Sequence, residues 1–172
     1  MPFGRGVALA LVGLWLGTLI ASWVAATASF RNVDRVLGPG MRPELASKLA
    51  SVAPDDRRMV LRHLASEINR WTFRRLAFVQ VAVALAALGA AWPARGVARG
   101  ALIGAAAIAL VQMGAGAAIE SLGRALDFLP RPLPATAARR FGAIHGAFVL
   151  LDLLKAAVLV LAGHALARAP LQ

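Results

Sequence analysis

Between Arg140 and Arg168 the chain is apolar, and the only formally charged side chains inside that run are Asp152 and Lys155. The run, about 142–166, suffices for a helix across a bilayer, which needs about 20 apolar residues. A lipid-facing segment would not keep those two groups. A charge at the bilayer centre costs on the order of 2.5–3.5 kcal/mol on insertion scales, so such groups pair or face a bundle interior. Asp152 and Lys155 are one turn apart and can pair on the helix surface. His145, seven residues before Asp152, lies on nearly the same face. The expected intramembrane polar site is Asp152, Lys155, His145, Gln112 and Gln80. Two readings of it stand side by side: a structural pair that orients the helix, and a site for a solute or proton.

The remaining chain has to pack around that pair. Of its 172 residues 59% are apolar and 16% charged, against roughly 45–50% apolar in an average soluble domain. The apolar residues come in blocks, as membrane spans do. The first is Val7 to Ala28. Ala26-Thr27-Ala28 resembles a secretory cleavage site, so a signal peptide is the rival reading. The block exceeds the roughly 7–15 apolar residues of a signal core, which favours an uncleaved helix. Gly13 and Gly17, continued by Ala21, form a small-residue face for close helix approach. A second small-residue pair is Gly100 and Gly104.

The expected fold is all-α, a single integral membrane domain built as a four-transmembrane-helix bundle. Its spans are about 7–29, 76–92, 97–119 and 142–166, with cytoplasmic loops at about 30–75 and 120–141. Pro43-Glu44 starts a short amphipathic helix in the first loop. Pro54-Asp55-Asp56 starts a long one that continues through Trp92, giving the second span a long cytoplasmic extension. Leu61, Leu64 and Ile68 of that extension are expected to pack on the Pro43–Val52 helix, on the linker after Asp127, or on a partner. Pro93-Ala94-Arg95-Gly96 forms a tight turn, and Pro130, Pro132 and Pro134 force a non-helical linker. Basic residues crowd the loop from Arg31 to Arg75 and the loop from Arg124 to Arg140. The other side holds only Arg5, Arg95, Arg99 and Arg168. The positive-inside rule then puts both loops in the cytoplasm and both termini outside a bacterial inner membrane.

The second polar constellation is His63, Glu67, Asn69 and Arg70, joined by Glu120, Arg124 and Asp127, which share one helix face at i, i+4 and i+7. His63 and Glu67, at i and i+4, can meet one divalent ion, although such a pair is more often a solvated helix face. Chemistry is otherwise narrowly bounded. There is no cysteine, which excludes disulfides and thiolate sites. No G-x-S-x-G, P-loop or H-E-x-x-H motif appears, so the chain does not read as an enzyme. The net charge of +11 flanks apolar blocks and reads as contact with anionic lipid, with no nucleic acid, since no nucleic-acid motif accompanies it.

Four segments carry a resemblance: LWLGTLIASWVAATASFRNVDRVL, LRHLASEINRWTF, LGRALDFLP and RRFGAIHGAFVLLDLLK. They resemble a family of small bacterial four-helix membrane proteins. In layout these are distantly similar to the eukaryotic small transmembrane proteins linked with metal-drug resistance and to copper-resistance D-type membrane domains. The resemblance implies a four-span fold and no agreed activity. With no cysteine and four methionines, soft ligands for copper are scarce. The expected function is non-enzymatic and cofactor-free: binding or moving a small solute or ion through the polar site. The alternatives are a structural or interaction protein with a homo-oligomer or partner on its small-residue faces, and a metal- or haem-binding redox module.

Overall fold

The computed structural model describes residues 2–92, 94, 96–129 and 132–168. Among them no strand occurs. The helices are α1 (Pro2–Val36), α2 (Pro43–Leu49), α3 (Pro54–Ala90), α4 (Val97–Leu126) and α5 (Ala135–Arg168). Pro93 and Arg95 of the expected turn, and Pro130 and Arg131 of the linker, lie outside the described residues. Proline opens both α2 and α3, where its missing N–H is no loss, and Asp55 and Asp56 follow in the first turn of α3. Gly96 precedes α4 with φ of 67°, a conformation that side chains with a Cβ rarely adopt.

The four long helices are each long and apolar enough to cross a membrane. They close a ring in the order α1, α3, α4, α5, with the broadest contacts between α1 and α3 and between α4 and α5. At one end of the bundle a Cβ on Gly4 would stand 3.1 Å from the Ala90 carbonyl oxygen, so α1 and α3 meet there only through glycine. At the same end Arg5 donates to the carbonyl of Ala167.

The interior is organised in tiers. The apolar tier is Ala8, Val12, Trp15 and Leu19 against Val83, Ala84, Ala87, Ala91, Ala98, Ala101, Leu102, Ala105, Ala109, Leu159, Ala162 and Leu166. Spacings of three and four repeat along each helix, which keeps one seam inward. Most of these residues are alanine, so along the core close helix approach comes mainly from alanine, with Gly4 the exception at one end. The expected glycines do less. Gly13 and Gly17 face outward with nothing near the position of a Cβ, as does Gly100, and Gly104 only meets Val158 at 3.9 Å. Alanine allows nearly the same approach and escapes glycine's entropy penalty. Outward-facing positions carry large apolar side chains, among them Leu14, Ile20, Phe78, Leu85, Ile103, Leu110, Leu150 and Leu154. With charge inside and leucine outside, the bundle suits hydrocarbon rather than water.

Two aromatic–arginine pairs bracket the apolar zone of α3. Arg75 lies over the Trp71 ring, and Arg99 over the Trp92 ring. Trp71 and Trp92 are both mostly exposed. From Trp71 to the end of α3 at Ala90 is about 28 Å at 1.5 Å per residue, with Trp92 two residues on, close to the roughly 30 Å of a hydrocarbon core. Interfacial tryptophans sit at such boundaries.

Of the three covers expected for this part of α3, the Pro43–Val52 helix is not the one: Leu64 and Ile68 are about half exposed, Leu61 is half-buried, and α2 has no buried residue. The inward positions on this stretch are Ala65 and Asn69. The inward face here follows the polar contact of Asn69 with α1 rather than the leucines, because Ser29 donates to Asn69 Oδ1 at 3.0 Å.

Candidate functional site

Beneath the apolar tier lies a buried polar layer to which every long helix contributes. Lys155 on α5 is 2% exposed and Asp152 is 6% exposed, so neither charge reaches solvent. Lys155 Nζ lies 3.0 Å from Asp152 Oδ1. It donates to Gln80 Oε1 of α3 at 2.8 Å and also to Gln112 Oε1 of α4. An ammonium has three N–H donors, and here three acceptors meet it. Asp152 is equally occupied. Gln112 Nε2 donates to its Oδ1 at 2.9 Å, and the Trp23 indole of α1 donates to its Oδ2 at 3.2 Å. The second Gln112 proton goes to the Phe148 carbonyl at 3.2 Å, and Trp15 donates to Gln80 Oε1 at 3.3 Å.

Of the residues expected in this layer, the structure joins Asp152, Lys155, Gln112 and Gln80 directly. His145 stands apart. It is exposed on α5 and stacks on Phe141 with ring centroids 5.7 Å apart. Trp15 and Trp23 are partners that sequence reasoning missed. The available signal was that a buried indole N–H almost always finds an acceptor. Among the described residues, no buried side-chain nitrogen or oxygen lacks a partner. Two surface grooves, of about 390 and 360 Å³, are lined by neither Lys155, Asp152, Gln80 nor Gln112. The buried charges thus close on one another, and the first groove approaches them only as far as Trp23.

The second cluster lies at the end of the bundle where α3 and α4 carry charge. His63 Nδ1 is 3.0 Å from Asp127 Oδ2, and Arg70 donates to Asp127 Oδ1 at 2.6 Å. Arg70 also donates to Glu67. Arg124 is 2.8 Å from Glu67 Oε1 and 3.1 Å from Glu120 Oε1, and Arg74 reaches Glu120 as well. The result is a chain of alternating charge from His63 to Arg74. It ties α3 to the end of α4 and contains every residue of the expected cluster except Asn69, which turns to Ser29 on α1. Burial raises the Asp127 carboxyl, but the hydrogen bonds from Arg70 and His63 and their charges outweigh it and hold the group below the usual carboxylate range.

His63, Glu67 and Asp127 bring ligand atoms within 4.8 Å of one another, so Asp127 completes the set of which His63 and Glu67 are the expected part. Their oxygens are already engaged. Asp127 gives one oxygen to His63 and one to Arg70, and Glu67 gives one to Arg70 and Arg124 and the other to Arg124. Two guanidinium groups at the carboxylates disfavour a divalent ion, so the arrangement works as an ion-pair network. No family model, curated protein or solved structure matches the chain.

Proposed function

We propose that the chain is a non-enzymatic, multi-pass protein of the bacterial inner membrane that serves as a helical scaffold for a partner or a second copy, rather than as a passage. Kinship with the small bacterial four-helix membrane proteins belongs to the same proposal. The closure of the buried layer carries this reading. A passage needs groups that exchange partners with a solute or with water. Here the ammonium of Lys155 and the carboxylate of Asp152 are saturated by Gln80, Gln112 and Trp23. Such a layer fixes which faces of four featureless apolar helices turn inward. The basic loops then lie in the cytoplasm with both termini outside, and the first half of α3 extends beyond the bilayer. A metal or haem role draws less support, since Arg70 and Arg124 fill the carboxylates beside His63 and His145 is only stacked on Phe141.

The outward small-residue face of α1 is where this reading is tested. Gly13 and Gly17 are exposed, and nothing in the chain stands within 4 Å of a Cβ built there. With no native cysteine, Gly17→Cys is a clean probe. In native membranes it should form a defined disulfide- or crosslinker-dependent adduct, while Leu85→Cys, exposed on α3, should not. Equal recovery of uncrosslinked monomer at both positions, together with solute flux in proteoliposomes, would reverse the assignment.

A further inference from the structure

Arg31 and Arg35 stand out among the basic residues near them. Arg58 pairs with Asp34, Arg62 lies over Phe30, and Arg57 holds the carbonyls of Val52 and Ala50. Among the described residues, the guanidinium groups of Arg31 and Arg35 have no such partner. Both line a shallow surface groove of about 390 Å³ on α1, together with Asn32. Its other lining residues are Trp23, Val24, Thr27 and Ala28. All seven belong to one continuous stripe of α1. Val24 lies about 10 Å along the axis from Arg31 at 1.5 Å per residue. The groove is therefore apolar at one end and doubly cationic at the other, over the distance that separates a phospholipid's phosphate from its upper acyl chain. Trp23, at the apolar end of the groove, is the residue whose indole holds Asp152, so an occupant would rest on the buried layer's edge.

We propose that this groove is a binding site for one anionic phospholipid of the leaflet at the basic side. Its phosphate sits between Arg31 and Arg35 with Asn32 as a further donor, and its acyl chain lies over Val24 and Ala28. The proposal rests on the membrane reading above. Charge complementarity selects an anionic over a zwitterionic headgroup, and the apolar end selects a lipid over a free anion.

The test uses the full chain purified in mild detergent and titrated with phosphatidylglycerol, with phosphatidylcholine and with inorganic phosphate. Phosphatidylglycerol should bind saturably, near one per chain, and phosphatidylcholine far more weakly. Each arginine at an anionic lipid surface contributes about fivefold in affinity, so Arg31→Gln with Arg35→Gln should weaken phosphatidylglycerol binding about thirtyfold. Lys48→Gln with Arg139→Gln removes equal charge at exposed positions that line neither groove and should cost clearly less than the site pair. The melting temperature of each variant in phosphatidylcholine shows that it is folded. Equal loss in both double variants would overturn the site in favour of diffuse attraction. Competition by inorganic phosphate at matched concentration would overturn the lipid assignment. Orientation is read separately in intact cells, where a membrane-impermeant thiol reagent should spare Pro39→Cys and label Ala94→Cys. The reverse pattern sinks the membrane topology while leaving the detergent titration to stand on its own.

Discussion

Asp152→Asn and Lys155→Met are each expected to cut accumulation in the membrane and to lower the melting temperature in detergent sharply. Removing one partner of a buried pair leaves an uncompensated charge in low dielectric, which typically costs about 3–5 kcal/mol. Both side chains are nearly inaccessible, so little solvent screening reduces that figure here. The double variant should recover much of the loss, because a neutral pair demands no counter-charge, Gln80 keeps Trp15, Gln112 keeps the Phe148 carbonyl, and Asp152→Asn retains a carbonyl oxygen for the Trp23 indole. Pulse-labelled accumulation and thermal unfolding read the effect. Single variants that behave like the parent would show that each group is solvated by itself.

The second large effect is expected at Arg70, whose guanidinium joins Asp127 to Glu67. Arg70→Met would strand a nearly buried Asp127 carboxylate while Glu67 keeps Arg124 and some solvent. The expected loss is on the order of 2–3 kcal/mol, below that of a fully buried pair because part of the network stays wet. Asp127→Asn should cost less and also change the response to acid. The Asp127 carboxyl is held below its unfolded value of about 3.9, so it contributes stability above that pH and loses it as pH falls toward the folded value. Stability of the parent should therefore decline below about pH 4, and Asp127→Asn should remove part of that slope. Melting curves between neutral pH and about pH 3 decide the matter. An unchanged slope would place the acid sensitivity in other carboxylates.

The sequence disclosed the polar residues better than the faces that carry them. Asp152 and Lys155 were legible because nothing else charged interrupts their span, and Gln80 and Gln112 were legible for the same reason. Glu120, Arg124 and Asp127 were legible as one face because helical spacing alone aligns them. What escaped was orientation. A helix that is apolar all round has no amphipathic signature, so its inward seam is set by neighbours the sequence does not display. That is why the spacing of Trp15 and Trp23 did not mark them as members of the polar layer, although both indoles reach into it. It is also why His145, correctly phased with Asp152, is turned to Phe141 instead. Within the chain, Leu64 and Ile68 stay about half exposed, and the inward face of this part of α3 is the one with Ala65 and Asn69, where Ser29 meets Asn69. Gly13, Gly17, Gly100 and Gly104 suggested the close contacts, and within the chain alanines line the core instead.

Ser22 offers the most direct test of a closed, dry interior. It is 3% exposed on the inward side of α1, next to Trp23, with its hydroxyl donating to the Leu19 carbonyl at 2.6 Å. Serine to cysteine is a small change, and no other cysteine competes for reagent. Ser47→Cys on α2, which is exposed, serves as the reference. In permeabilised membranes a small hydrophilic thiol reagent should modify Ser47→Cys quickly and leave Ser22→Cys unmodified over the same time. Modification of Ser22→Cys at a rate comparable to Ser47→Cys would show water beside the buried charges and would contradict the scaffold reading.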